Sequence, residues 1–493
     1  MSERRSPWLW LLPAALASVA LLLVWHRSSS ESPPPIPSSD PSAPASPEAS
    51  PQAPEAVPRA VPARVSAAAP AGCPEDDADP AGFVRPSVWE LLRTRTQELR
   101  DRLPQLSRDA SPSLRDGLNA LGGDDSLRAL DRIRAAPDRH RDGFDIALAA
   151  TLHLGMRALA RGTPADAQYW ARIAVREGPD DPLAHAFAAL AANRAGRSVD
   201  AAAEMGRAYA GATDEPAIAL EHARLEAEHG RFDEAARAVE QYLAEVPEDS
   251  RLTSWRIRMA ARAELTRTHA RREHAGIFVI WPDRNVDSRR VDEVTSAARG
   301  AMQEVASRTG LATRAHLTIV IYRSVDELRR ATCAPSWSGG IFDGVLQLDA
   351  AAIERPTFTR TVRHEAAHAQ LAMLRRRIPT WLNEGLAQDM EGPPSPGARA
   401  AWRRMVERGF WIPLESLEGE LIVIDDPTDA GLAYHQSLAM FLYLDERGPE
   451  GALRDAIGRI EAGQPEDLLP ALVPGTDGEA LLAFMRRRLD APH

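Results

Sequence analysis

The chain contains no lysine, so its 59 basic residues other than histidine are all arginine. Acidic residues still outnumber them, 70 to 59, which leaves a formal net charge of −11. No stripe of arginines interleaved with aromatic residues offsets this balance. Because non-specific nucleic-acid binding depends on neutralising phosphates, the composition argues against a nucleic-acid partner.

Cysteine is almost absent as well, with Cys73 and Cys333 as the two cysteines of the chain. Two cysteines exclude a cysteine-built metal cluster and a disulfide-rich scaffold. They can pair with each other, but Cys73 stands in a segment of loose composition. We therefore expect two free thiols.

The length of 493 residues exceeds what one hydrophobic core usually supports. A hydrophobic fraction of 44% is ordinary and permits sizeable cores. We therefore expect two folded units and some non-globular sequence.

An uncharged apolar run from Trp8 to Trp25 lies near the N terminus. Its length is near the lower limit for a helix that crosses a bilayer, and its terminal tryptophans are typical of a membrane interface. We predict that residues 1–27 are an uncleaved inner-membrane anchor, with the folded part in the periplasm or outside. The alternative is a cleaved signal peptide and a secreted protein. Residues 28–80, rich in proline, alanine and serine, predict a disordered tether.

Residues 81–265 are predicted to be helical and contain a repeat of 34 residues. The recurring positions are Gly162, Gly196 and Gly230, then Asp166, Asp200 and Glu234, then Ala167, Ala201 and Ala235. This period, with glycine between two helical halves and proline at the boundary, resembles the tetratricopeptide repeat. The resemblance implies an α-helical solenoid of stacked helix pairs. Its concave surface either binds a protein partner or a substrate segment, or the solenoid is only a spacer.

A different pattern begins near residue 276. Short β-branched runs at 276–281, 316–322 and 340–349 predict strands, with a helix at 291–308 between the first two. A further helix is predicted at 359–377, ending before a proline. Residues 275–490 are therefore expected to form an α+β domain with a small mixed sheet.

The sequence HEAAH, from His364 to His368, stands inside the predicted helix 359–377. Residues four apart share one helix face, so the two imidazoles can bind one zinc ion. Glu365 can take a proton from water whose acidity the metal has raised and pass it to a leaving amine. The motif alone is also compatible with two ordinary histidines on a solvated helix face.

A third ligand candidate follows in PTWLNEGLA (379–387), which begins another helix. A short turn and an antiparallel return would bring Glu384 to the two histidines. Two histidines, one glutamate and one water form the usual catalytic zinc set. The sequence thus predicts one Zn²⁺ per chain, held by His364, His368 and Glu384.

HEAAH followed by PTWLNEGLA resembles the gluzincin peptidases, and specifically the compact peptidase-MA-like domain of exported bacterial proteins. The resemblance covers residues 275–490 and implies a zincin-like fold that hydrolyses peptide bonds. It also implies that GIFDGVLQLD (340–349) is an edge strand along which an extended peptide substrate lies, by β-augmentation.

The resemblance leaves two neighbourhoods of the site open. Many gluzincins carry a histidine-orienting carboxylate four residues after the glutamate ligand, where this chain has Gln388, followed by Asp389. Either residue is a candidate for that role, and a solvated helix end is the alternative. A YxQS-like segment implies that Tyr434, ahead of His435, donates a hydrogen bond to the oxyanion. The alternative is that Tyr434 packs in the core.

Two functional hypotheses remain. The first is a zinc metallopeptidase acting on a peptide or protein substrate, joined to a helical repeat domain. The second is an envelope-tethered repeat scaffold with a non-catalytic zinc domain. Hydrolysis of a non-peptide bond would use the same water-activating chemistry.

Overall fold

The computed structural model describes residues 86–121, 126–141, 144–284, 286–333, 340–374, 376–413, 417, 427–465 and 467–491. The segments predicted as a membrane anchor (1–27) and a tether (28–80) lie outside these residues. Across the described ranges, no helix is both long and apolar enough to cross a bilayer. The prediction of an inner-membrane location through an N-terminal helix is therefore corrected, because no described helix supports it.

From residue 86 onwards, the described part of the N-terminal half is an array of helices, whose first elements are three helices and a pair of very short strands. These elements are α1 (Val88–Asp109), α2 (Pro112–Ala120), α3 (Ser126–Ala135), β1 (His140–Arg141) and β2 (Phe144–Asp145). Three helix pairs and a last single helix follow. They are α4 (Ile146–Ala160), α5 (Pro164–Glu177), α6 (Pro182–Arg194), α7 (Ser198–Gly211), α8 (Pro216–Glu228), α9 (Phe232–Glu245) and α10 (Ser250–Thr266).

The repeated glycines occupy the turn inside each helix pair. Gly162, Gly196 and Gly230 have φ angles of 71°, 74° and 72°, in the left-handed region that favours glycine. The sequence period therefore corresponds to a repeated turn between the two helices of a pair. That these pairs are tetratricopeptide repeats stays a prediction.

The C-terminal half contains a five-stranded mixed sheet with the order β3-β4-β5-β7-β6. Its strands are β3 (Ala270–His274), β4 (Ile277–Trp281), β5 (Leu317–Tyr322), β6 (Gly340–Phe342) and β7 (Leu346–Asp349). Strands β4, β5 and β7 are parallel, and β3 and β6 pair antiparallel at the two edges.

The prediction that 340–349 forms a single edge strand is wrong in the length of that strand. Gly344, with a φ of 101°, turns the chain between β6 and β7, so the segment forms a hairpin. Within this hairpin, the three residues of β6 lie at one edge of the sheet, and β7 is an inner strand.

The described residues of this half also form ten helices: α11 (Ser288–Thr309), α12 (Val325–Thr332), α13 (Ala350–Glu354), α14 (Phe358–Leu371), α15 (Thr380–Met390), α16 (Pro396–Arg408), α17 (Pro427–Arg447), α18 (Ala452–Glu461), α19 (Leu468–Leu472) and α20 (Gly478–Asp490). The helix predicted at 359–377 ends earlier, at Leu371, and a short 3₁₀ turn follows it.

The sheet has a hydrophobic core on each of its faces. On one face, Ile319 and Leu348 pack with residues of α11 and α14. On the other face, Val320 and Ile341 pack with Phe232 and Met259, which belong to the helical array. The predicted domain boundary between residues 265 and 275 therefore runs through a shared hydrophobic core.

Cys333 ends α12 and is disulfide-bonded. The expectation of two free thiols is therefore wrong. The other cysteine of the sequence, Cys73, lies outside the described residues.

Candidate metal centre

The two histidines of the HEAAH motif lie one turn apart on α14, and both are buried. Their Nε2 atoms are 3.1 Å apart. Glu384 on α15 is fully buried and faces them, with its Oε2 atom 3.7 Å from His364 Nε2 and its Oε1 atom 3.7 Å from His368 Nε2. Among the described residues, these three form the one group that offers enough closely placed His, Cys, Asp or Glu atoms for a metal ion.

A close helix contact fixes α15 and therefore Glu384. Gly385 lies so near α17 that a Cβ atom there would stand 2.4 Å from the carbonyl oxygen of Ser437. Trp381, buried on the same helix, anchors α15 in the core. The glycine next to the glutamate is thus what allows the two helices to touch and the carboxylate to face α14.

The outward nitrogen of each histidine has its own hydrogen-bond partner. His364 Nδ1 is 2.9 Å from Glu391 Oε1, and His368 Nδ1 is 3.1 Å from Asn383 Oδ1. In the neutral form of each ring, a proton held on Nδ1 by these acceptors leaves the lone pair on Nε2, which is the atom that faces Glu384. Sequence reasoning missed both partners. Glu391 follows Glu384 by seven residues, a spacing that keeps two residues on one helix face.

The two residues suggested for this orienting role have other contacts. Gln388 Nε2 donates to the carbonyl oxygens of Glu384 and Tyr434, at 3.2 and 2.8 Å, so it ties α15 to α17. Asp389 Oδ2 pairs with Arg308 Nη1 at 2.6 Å. Neither side chain hydrogen-bonds a histidine of the site, and the geometry favours Glu391 instead.

Glu365 is buried beside the two histidines and contacts the edge strand β6. The backbone N–H of Phe342 hydrogen-bonds its carboxylate, whereas its Oε2 atom has no hydrogen-bond partner among the described residues. Burial raises the pKa of Glu365 to about 7, against the lowering effects of His364 and of the Phe342 N–H. A carboxyl group with this pKa can both accept and release a proton near neutral pH.

Tyr434 also reaches the site, but on its outer side. Its hydroxyl donates to Glu391 Oε1 at 3.4 Å and lies 3.5 Å from His364 Nδ1, not beside an Nε2 atom. The His435 ring packs edge-on against Tyr434, and its Nδ1 has no partner within the described chain. The catalytic roles suggested for these two residues stay predictions.

The pKa values of the two histidines diverge. Burial by itself lowers the pKa of His364, but Glu391, Glu365 and Glu384 outweigh it and raise the pKa to about 9. Burial and the neighbouring His364 lower the pKa of His368 to about 3. Three carboxylates around two histidines leave an excess of negative charge that a divalent cation would neutralise.

The spacing of the donor atoms fits zinc. Zinc bonds of roughly 2.0–2.2 Å at tetrahedral angles would separate two ligand atoms by about 3.3–3.6 Å. The two Nε2 atoms are 3.1 Å apart, and the Glu384 oxygens nearest to them, Oε2 for His364 and Oε1 for His368, each lie 3.7 Å away. One nitrogen from each histidine and one oxygen from Glu384 all lie within 4.8 Å of one another, so the three side chains are close enough to share one ion.

Residues 297–481 match the family model of the Peptidase MA superfamily. The match contains α14, α15 and Tyr434, and it supports a peptidase-MA-like zincin domain in this part of the chain. The match supports peptidase activity in general, and proteins of this superfamily are typically metal-dependent. No curated protein matches the chain.

Proposed function

We propose that the C-terminal half is a zinc metallopeptidase in which His364, His368 and Glu384 hold one zinc ion. The observation that carries the proposal is the convergence of two Nε2 atoms and one carboxylate in a buried site. Two histidines and a glutamate are a common ligand set of catalytic zinc, which leaves a fourth position for water or substrate.

Zinc bound there would supply Lewis acidity, which acidifies a water molecule and polarises a carbonyl group. Glu365 takes the proton of the attacking water and returns it to the leaving amine. The Phe342 N–H holds one carboxylate oxygen, which leaves Oε2 for this proton. Burial of Glu365 keeps the carboxylate poorly hydrated, which strengthens it as a base.

The second layer of the site would orient the ligands. Glu391 and Asn383 hold the Nδ1–H groups of His364 and His368, so both rings present Nε2 inward. The Tyr434 hydroxyl supports Glu391 in this position. Donation to an oxyanion by Tyr434 would require the hydroxyl to leave Glu391.

The substrate would be a peptide or protein segment in extended form. Phe342 directs its N–H towards Glu365, so the outer edge of β6 faces the site. An extended peptide that adds to this edge would lie next to the general base. The helical array is a further proposed surface for a substrate or partner segment.

The test compares zinc content and cleavage of a peptide library by the full chain, Glu365→Gln and His364→Ala. We expect about one zinc per chain in the wild type and in Glu365→Gln, and much less in His364→Ala. Cleavage should fall by at least about 100-fold in Glu365→Gln. Asp389→Asn, a carboxylate change outside the zinc site, serves as the matched control and should cleave normally.

Equal product from the wild type and Glu365→Gln would refute the mechanism. Zinc at one per chain without cleavage of any peptide would instead favour the repeat scaffold with a non-catalytic zinc domain. Wild-type activity on an ester or another acyl substrate alone would indicate a zinc hydrolase of different specificity.

A further inference from the structure

The β6–β7 hairpin lies between the HEAAH helix and the helical array. On the side of the site, a Cβ atom at Gly340 would stand 3.5 Å from Cγ of Glu365. On the other side, a Cβ atom at Gly344 would stand 3.7 Å from Cγ of Glu228 on α8. The hairpin therefore touches both the general base and the array.

A buried ion pair fastens this hairpin to α10. Arg262 of α10 pairs with Asp343, the residue that follows β6, and their side chains are 1% and 4% exposed. Arg262 Nε also donates to the carbonyl oxygen of Ala331 at 3.0 Å. The guanidinium thus has one fixed position, set by two partners from different elements.

The ion pair continues into the sheet through two polar side chains. Gln347 Nε2 donates to Asp343 Oδ1 at 2.8 Å, and the Tyr322 hydroxyl donates to Gln347 Oε1 at 2.9 Å. Gln347 and Tyr322 are fully buried. Removing one member of such a network leaves its partners buried without compensation, so the hairpin would have to move.

Asp343 is the covalent neighbour of Phe342, whose N–H holds Glu365. A displacement of Asp343 therefore moves the backbone group that fixes the carboxylate. We propose that Arg262 is a positioning residue for Glu365, acting through Asp343 and the β6–β7 hairpin. This inference rests on the proposed peptidase function. It places a determinant of the site in the helical array, before the region matched at 297–481.

The test measures zinc content, kcat and KM of the full chain for Arg262→Met, Arg262→Lys and Asp343→Asn. We expect kcat to fall by at least about tenfold in Arg262→Met and Asp343→Asn, because the base is displaced. Zinc content should stay unchanged, because no zinc ligand touches the pair. Arg262→Lys keeps the charge and should retain an intermediate kcat, which covers the case that Arg262→Met does not fold.

The matched control is Arg134→Met, which breaks another ion pair of the array, with Glu177 at 2.7 Å. Its kcat should equal that of the wild type. A fall in kcat no larger in Arg262→Met than in Arg134→Met would overturn the proposal. So would a fall in kcat that merely follows a loss of zinc.

A second readout does not depend on catalysis. Hydrogen exchange of the peptide 340–349 should become at least about tenfold faster in Arg262→Met, while β4 and β5 keep their protection. Unchanged exchange of 340–349 would contradict the inference. Absence of cleavage by the wild type would refute the proposed function alone, and the exchange measurement would still decide whether Arg262 holds the hairpin.

Discussion

Glu391 should control the affinity of the proposed site for zinc. It accepts from His364 Nδ1 at 2.9 Å and is itself only 16% exposed. A hydrogen bond to a charged group is worth about 1.5–3 kcal/mol, and a lost second-layer partner weakens metal binding by about 10–100-fold, or about 1.4–2.7 kcal/mol. The two estimates agree, so Glu391→Ala should raise the zinc Kd by roughly 10–100-fold.

Two further variants grade this effect. Glu391→Gln keeps an acceptor oxygen without the charge, so its rise in zinc Kd should be near the lower end of the range expected for Glu391→Ala. Asn383→Ala removes a neutral hydrogen bond to His368 at 3.1 Å, which is worth about 0.5–1.5 kcal/mol. Its zinc Kd should therefore rise by no more than about tenfold.

The assay is competition for zinc with a chromophoric chelator, using the full chain at neutral pH. Asp389→Asn is the control, since that carboxylate lies on the same helix but pairs with Arg308. The reasoning fails if Glu391→Ala binds zinc as tightly as the wild type. It also fails if Asp389→Asn weakens zinc binding to the same degree, because the effect would then come from general disturbance of α15.

Two predictions concern stability. Gly385→Ala should lower the free energy of unfolding by about 1–3 kcal/mol in urea titrations, because its Cβ would meet the rigid Ser437 carbonyl. Gly458→Ala, in a helix with no atom nearby, should instead raise it by about 0.5–1 kcal/mol, and the same sign for both would contradict this reading. Burial lowers the pKa of His316 to about 3. Below about pH 6.5 the unfolded state therefore binds a proton at this histidine before the folded state does, so the folded state loses stability as the pH falls. His316→Gln should therefore flatten the pH dependence of unfolding between about pH 6 and 4, by at most about 1.4 kcal/mol per pH unit; parallel profiles would disprove the assignment.

The three proposed ligands could be found from the sequence because they follow local rules. His364 and His368 share a helix face by spacing alone, and Glu384 follows on the next helix after a proline-limited turn. Each step needs only helix periodicity and a short connection. The structure brings these three side chains together in one buried group, and their role as zinc ligands stays a proposal.

The surrounding layer follows from tertiary packing instead. Arg262 and Asp343 are 81 residues apart, and their contact depends on how α10 packs on the sheet. The hairpin itself had a local signal that was overlooked, since Asp343-Gly344 between apolar runs is typical of a tight β-turn. A turn at this position divides 340–349 into two strands, which predicts the short edge strand. The pairing of Asp343 with Arg262 cannot be predicted in this way, because it depends on the packing of α10.

The shared core sets how much of the chain the proposed peptidase domain needs to fold. A fragment that starts at residue 275 keeps the region matched to the superfamily but loses Phe232, Met259 and Arg262. Burial of an apolar side chain the size of Phe232 or Met259 stabilises the folded state by about 1.5–3 kcal/mol. Without these side chains, the second face of the sheet would be exposed to water. We therefore expect fragment 275–493 to aggregate on size-exclusion chromatography or to bind a hydrophobic dye, whereas fragment 28–493, which keeps both cysteines, stays monodisperse. A monodisperse, zinc-binding fragment 275–493 with wild-type kcat would show that the array is dispensable, and it would also remove the basis for a positioning role of Arg262.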